Sequence, residues 1–235
     1  MLLIFPFIII ASFFGKMTGG NFIYKLCSFW ADVWMFLIGM FHRNIYENPH
    51  DDSCQYIFVC NHISYLDGPV MVKTFRQKLR VLGKAEMANI PLFGFIYKHA
   101  VVMVDRKDAA YRLQSVNTLR SILKRKISVF IFPEGTFNMT HQPLKEFYNG
   151  AFRIAIETQT PVKPILFLDT YDRLNYNSVF SFSPGRSRSV FLEETKTSGM
   201  SMDDLPFLKE KIYNQMEAAL IKYKASWIKS SPVSS

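Results

Sequence analysis

Cysteine is scarce in this chain of 235 residues, and the three present, Cys27, Cys54 and Cys60, show neither metal-ligand spacing nor an even-numbered disulfide framework. A reducing compartment follows as the expectation. His42, His50, His99 and His141 have no partner at ligand spacing either, so no metal site is expected. Acidic residues are also few, 19 against 28 lysines and arginines. The resulting net charge of +9 favours anionic partners such as a phospholipid surface, a phosphate-bearing substrate or an acidic carrier protein. Nucleic acid is set aside, because the basic residues are dispersed and no nucleic-acid module is visible. Internal repeats are absent. No positively charged segment precedes the first apolar run and no small-residue cleavage site follows it, so a cleaved leader is not expected and numbering should start near Met1.

Clean membrane spans are missing too. Leu2 to Phe14 is almost wholly apolar, but it is interrupted by Pro6 and too short for a hydrocarbon core of roughly 30 Å. After the polar, Gly-rich break from Gly15 to Asn21, the run from Phe22 to Phe41 is long enough but carries Lys25 and Asp32. This pattern predicts a hydrophobic helical hairpin over residues 1–42. Trp30, Trp34, Phe36 and Phe41 suit the interface, so the hairpin is expected to dip into one leaflet rather than cross the bilayer, with a spanning pair or a buried helix pair as alternatives. With 22 phenylalanines, the composition is heavy for a purely soluble domain.

What the chain does have is an alternation of apolar runs and helical periods. Strands are predicted at Tyr56–Cys60, Arg80–Gly83, Val101–Val104, Ser128–Phe132, Val162–Leu168 and Ser189–Leu192. Helices are predicted near Leu66–Phe75, Pro91–Tyr97, Ala109–Arg125 and Ala151–Thr158. A further helix follows Ser201, Asp203, Asp204 and Pro206, with an apolar stripe from Leu205 to Trp227. The fold class is therefore α/β: a single domain with a mixed, largely parallel sheet covered by helices. The predicted division is a membrane-associating hairpin over 1–42, an α/β domain over 43–229 and a disordered tail over 230–235.

The chemistry-bearing stretch is Asn61–Asp67, Asn-His-Ile-Ser-Tyr-Leu-Asp. Five positions put His62 and Asp67 about 140° apart on a helix and on opposite faces of a strand, so the two meet only across a strand-to-helix turn. Tyr56–Cys60 supplies the strand, Asn61 the turn, and Ser64 with Asp67 a capping-box-like helix start. Asp67 can then fix the His62 tautomer, although a solvated histidine and a helix-start carboxylate make the ordinary reading of the same pair. Cys60, at the end of the apolar run, reads as a small buried side chain rather than a nucleophile. A second strand end carries Phe132–Thr136, Phe-Pro-Glu-Gly-Thr, and in an open α/β sheet His62, Asp67 and Glu134 converge if the two strands are parallel.

These two blocks, with Gly83–Gly94 between them and Pro161–Ile165 after them, occur in the order found in the glycerolipid acyltransferase family, which the chain resembles over roughly residues 55–170. Its closest likeness is to the 1-acylglycerol-3-phosphate acyltransferases. The resemblance implies membrane association and transfer of a fatty acyl group from acyl-CoA or acyl carrier protein, as co-substrate with no cofactor, to the hydroxyl of a lysolipid. The acceptor implied is 1-acylglycerol-3-phosphate, and the site is expected on the cytoplasmic face. His62 becomes the general base and Asp67 its orienting partner. Glu134, Gly135 and Thr136 match the acceptor-binding block. Lys84, Glu86, Arg106 and Lys145 match substrate-binding positions, the three cations as phosphate ligands, and Pro161 and Pro164 match a block lining the acyl groove. One position departs from the family: where an arginine usually follows the threonine, this chain has Phe137. That weakens the case for a phosphate-bearing acceptor and leaves room for another lysolipid, such as an amino-acid-containing one, or for a catalytically silent lipid-binding protein.

Overall fold

The computed structural model describes residues 2–104, 109–178 and 180–229. In chain order its elements are α1 (Phe5–Ser12), α2 (Gly20–Leu37), β1 (Met40–Tyr46), β2 (Ile57–Cys60), α3 (Asp67–Thr74), β3 (Leu79–Lys84), α4 (Phe93–Ala100), β4 (Val101–Val104), α5 (Ala109–Lys124), β5 (Ser128–Ile131), α6 (Gly150–Thr158), β6 (Val162–Phe167), α7 (Thr170–Arg173), β7 (Gly185–Phe191) and α8 (Leu205–Lys222). The strands form one seven-stranded sheet in the order β1-β7-β6-β2-β5-β3-β4. Strands β6, β2, β5, β3 and β4 run parallel; β7 pairs antiparallel with β6, and β1 pairs parallel with β7. The expected mixed, largely parallel α/β sheet is what forms.

The sheet is buried on both faces, which is why its central strands read as continuous apolar runs rather than alternating ones. Along β2, Ile57 and Val59 join a core with Leu119 and Leu123 of α5, Phe152 of α6 and Leu208, Ile212 and Met216 of α8. Phe58 and Cys60 point the other way, into a core with Met35 of α2, Val70 and Met71 of α3, and Phe75. Helix α8 starts as the sequence predicts. Ser201 accepts the Asp203 N–H while Asp204 accepts the Ser201 N–H at 2.7 Å, a capping box ahead of the helix.

The short helix α7 has no counterpart in the sequence reading, and two strands depart from it. Strand β1 lies where the sequence shows the end of an apolar run passing into a polar connection. Among the described residues its outer edge carries no neighbouring strand, and along it buried or half-buried positions are interspersed with exposed ones, without an apolar signature. Strand β7 starts four residues early, because Gly185 with φ near +135° begins the pairing to Met40.

At the N-terminus α1 and α2 pack together through Ile8, Ala11, Ile23 and Cys27, with Ile96 of α4 completing the cluster. Phe7, Phe13, Phe14, Phe22, Phe29, Phe36 and Leu37 are left exposed. Among the described residues no helix is long and apolar enough to cross a membrane. The charge inside the second apolar run has a structural partner: Asp32 receives Lys73 at 2.5 Å and both terminal nitrogens of Arg76, tying α2 to α3.

Candidate active site

The parallel pairing of β2 with β5 brings their carboxyl ends side by side, and both polar strand ends therefore open at one end of the sheet. Asn61 ends β2 by locking onto β6: its side-chain amide donates to Phe167 O at 3.0 Å and its carbonyl accepts the Phe167 N–H at 2.8 Å. The chain then turns into α3, whose first residue is Asp67. One carboxylate oxygen of Asp67, Oδ2, collects three donors: His62 Nδ1 at 2.8 Å, Ile63 N at 2.8 Å and Ser64 N at 2.9 Å. The expected capping box is thus half formed. Asp67 accepts the Ser64 N–H, but the Ser64 hydroxyl accepts Leu66 N at 3.0 Å and donates to the Leu174 carbonyl.

This arrangement fixes the imidazole. Asp67 is fully buried and the His62 side chain 22% exposed, so the carboxylate sits behind the ring and the ring meets the outside. With Nδ1–H donated to Asp67, the Nε2 lone pair is the one left for a substrate proton. The helix N-terminus and two backbone N–H groups hold the Asp67 charge, and its other oxygen, Oδ1, is buried without a hydrogen-bond partner among the described residues. A base oriented by a buried carboxylate and open on its second nitrogen is the working part of many proton-transfer sites.

The second block builds the opposite wall. Gly135, with φ near +71°, supplies the left-handed turn after β5 that a Cβ would strain. Glu134, 1% exposed, turns inward: Oε1 accepts the His62 N–H at 2.8 Å and Oε2 accepts the Lys145 N–H at 2.9 Å. Burial pushes its carboxyl up to about 7, against the lowering effect of those two bonds. The His62 carbonyl is held from the same loop, by Asn138 N at 2.7 Å. Lys145 Nζ donates to Thr136 Oγ1 at 2.7 Å, placing a cation and a hydroxyl together on this wall. Phe132 stacks on the His62 ring with centroids 3.9 Å apart, Phe137 meets that ring edge-on at 4.4 Å, and Tyr65 packs on Phe137 at 5.0 Å.

The residues expected at the site thus divide. His62, Asp67, Glu134, Gly135, Thr136 and Lys145 come together. Glu134 does so with both oxygens engaged by backbone N–H groups, as a clamp between the two blocks rather than as a headgroup ligand. Lys84 and Glu86 are exposed at and just beyond the carboxyl end of β3, on the same end of the sheet but with β5 standing between β3 and β2. Arg106 lies outside the described residues. Pro161 and Pro164 are not brought to His62: Pro161 O accepts the Ile57 N–H at the far end of β2, and Pro164 sits opposite Val59 in a central strand, not an edge. Sequence reasoning missed Phe132, Tyr65, Asn138 and the locking role of Asn61. Only Asn61 carried a local signal, a polar amide ending an apolar strand.

Comparison with known proteins bears on this end of the sheet. The Acyltransferase family model matches residues 42–168, more than half of the chain and both polar blocks. The chain belongs to the Acyltransferase family. Among its relatives is an uncharacterized acyltransferase of Schizosaccharomyces pombe, 29% identical over 169 residues, which make up 71% of this chain and 60% of that protein. Another is the 1-acyl-sn-glycerol-3-phosphate acyltransferase alpha of Mus musculus, 28% identical over 68% of this chain and 57% of that protein. This acyltransferase-family chain therefore spans about three-fifths of the length of those curated relatives. The crystal structure of the 1-acyl-sn-glycerophosphate acyltransferase PlsC from Thermotoga maritima superposes with a TM-score of 0.71 at 21% identity, covering 95% of this chain and 90% of that one. That likeness carries the fold: one α/β domain shared over most of both chains.

Proposed function

We propose that this protein is an O-acyltransferase moving a fatty acyl group from a thioester, acyl-CoA or acyl carrier protein, to the hydroxyl of a lysophospholipid. The observation that carries the reading is His62 held by Asp67 through Nδ1, with Nε2 left as base. In this mechanism Nε2 removes the hydroxyl proton as the oxygen attacks the thioester carbonyl. The tetrahedral oxyanion collapses with loss of thiolate, and the imidazolium returns its proton to the departing sulfur. Asp67 stabilises the imidazolium throughout, and no acyl-enzyme is needed. Positioned acid/base catalysis of this type contributes roughly 10²- to 10⁴-fold.

The acceptor we assign is 1-acylglycerol-3-phosphate, giving phosphatidic acid. Support comes from the names of the relatives and from the Lys145 ammonium beside Thr136, a cation and hydroxyl pair suited to a phosphate. Phe137 against His62 favours a second reading, an acceptor with a less charged headgroup, and the same assay separates the two. We also assign the membrane contact to the N-terminal hairpin, residues 1–42, lying in one leaflet with the catalytic domain over 43–229 on the cytoplasmic face. The exposed phenylalanines of α1 and α2 support it. The predicted tail, 230–235, lies outside the described residues.

The test offers acyl thioesters with a panel of lysolipids and identifies products by mass. His62→Ala should abolish transfer while the melting temperature and vesicle binding stay at wild-type values. Full activity in that variant would overturn the mechanism, and lysolipid binding by the wild type without turnover of any donor would leave a silent lipid-binding protein.

A further inference from the structure

The connection from α7 to β7, described at residues 174–178 and 180–184, joins the candidate active site to the N-terminal helices. At one end Asn175 forms an isolated antiparallel bridge with Ser64, and the Ser64 hydroxyl donates to the Leu174 carbonyl. At the other end Gly185 N donates to Gly39 O at 2.9 Å, and Pro184 packs so closely that a Cβ on Gly39 would meet it at 3.2 Å. Between these anchors the loop is braced from within. Ser181 Oγ accepts Asn175 N and donates to Ser178 O at 2.7 Å, and Ser178 Oγ accepts Phe180 N at 3.1 Å. The product of this bracing is Phe180, held on a closed turn and 93% exposed.

Phe180 is not isolated. Phe182 is exposed two residues on, and across the Gly39–Gly185 contact stand Phe36, Leu37 and Phe41, all largely exposed. Because β1 runs opposite to β2, the start of β1 lies at the same end of the sheet as His62. The apolar group therefore borders the site. It is flanked by cations: Arg186, 68% exposed although its guanidinium also lies 3.7 Å from the buried Asp169, is the register partner of Phe41, and Arg43 is exposed farther along β1. Exposed aromatic and aliphatic side chains gathered at one end of a sheet suit a contact surface, and a basic border selects one with negative charge.

We propose that the described residues 174–178 and 180–184 of this loop, with Phe180 outermost, form with Phe36, Leu37 and Phe41 a second lipid-docking rim, which inserts at the surface of a phospholipid bilayer carrying anionic headgroups. The proposal rests on the membrane reading above and extends it beyond residues 1–42. Through the Ser64–Asn175 bridge the inserted loop sets the mouth of the site against the leaflet that holds the acceptor.

The experiment uses the full chain with Cys54→Ser, since Cys27 and Cys60 are buried. An environment-sensitive fluorophore is placed singly through Phe180→Cys, Phe29→Cys on α2, or Arg125→Cys at the opposite end of the sheet. Each is mixed with phosphatidylcholine vesicles with and without phosphatidylglycerol. Blue shifts at positions 180 and 29 but not 125, enlarged by phosphatidylglycerol, are the expected result. A shift at 29 without one at 180 overturns the rim and leaves the hairpin reading standing; no shift at either overturns both. A shift at 180 without vesicles, with a dimer's mass by light scattering, overturns the proposal in favour of a second copy. Phe180→Asp should weaken vesicle partition about tenfold with an unchanged melting temperature, and unchanged partition also overturns it.

Discussion

The backbone N–H of His62 donates to Glu134 Oε1 at 2.8 Å, so the proposed base is positioned by a carboxylate 72 residues away in sequence whose two oxygens are both held by backbone N–H groups. Glu134→Gln tests this clamp. The amide has one acceptor where the carboxylate has two, so a buried N–H, of His62 or Lys145, faces an NH₂ group, at a cost of about 1–3 kcal/mol. The expected result is a lower melting temperature and a kcat reduced roughly tenfold to a hundredfold with KM for the acceptor little changed. Burial raises the Glu134 carboxyl to about 7, so the folded state binds more protons than the unfolded one between the ordinary carboxylate range and that value. Its contribution to stability is present in acid and lost as pH rises through about 7, and denaturant unfolding of the variant should lack that slope.

Asp67→Asn should be more damaging to catalysis than to the fold. The amide oxygen can still accept Ile63 N and Ser64 N, which keeps the turn, but it cannot stabilise an imidazolium. A loss of about 10³- to 10⁴-fold in kcat is expected with circular dichroism unchanged. A loss below tenfold would remove Asp67 from the mechanism.

Much of this site was legible before the fold, and the reason is local. Strand β2 is short, wholly buried and apolar, so Tyr56–Cys60 announces its end, and a histidine and a carboxylate around one turn have few ways to meet. Lys163 shows the limit. It lies inside buried β6 with no exposed side-chain surface, its ammonium held by Asn48 O at 3.0 Å and Asn48 Oδ1 at 2.9 Å, and no neighbouring residue in sequence predicts that distant partner. Glu134 is the same case at the site. A carboxylate in a turn looks solvent-facing or substrate-facing, and only the parallel packing of β2 against β5 turns it inward. Pro161 lies just before a strand parallel to β2, which puts it at the far end from His62, and Pro164 lies within that strand opposite Val59.

His42 gives the opposite pH signature from Glu134. Burial drives its imidazole down to about 4, assisted by Lys73 and Arg76, while its nitrogens serve Ser187 Oγ at 3.0 Å and Asn44 Oδ1 at 2.9 Å. The unfolded chain, with an ordinary histidine, binds the extra proton first, so stability is lost as pH falls from about 6.5 toward 4. Between about pH 7.5 and 5 the loss from this residue should be near 2 kcal/mol. Urea midpoints of wild type and His42→Gln should converge over that interval, and parallel curves would show that His42 does not set the slope.

Phe137 makes the sharpest prediction about substrate. Its ring lies against His62 at 4.4 Å and is itself covered by Tyr65, so this side of the imidazole is shielded from water. Phe137→Ala opens that side. Water then competes with the acceptor hydroxyl, and the ratio of free fatty acid to acylated lipid should rise several-fold. Phe137→Arg instead adds a guanidinium next to the cation and hydroxyl already present. A charge-assisted bond to phosphate of about 1.5–3 kcal/mol would raise kcat/KM for 1-acylglycerol-3-phosphate over an uncharged lysolipid roughly tenfold or more. Product ratios by mass spectrometry check both. If neither ratio moves, the ring neither excludes water nor reads the headgroup, and selection of the acceptor lies with Lys145 and Thr136.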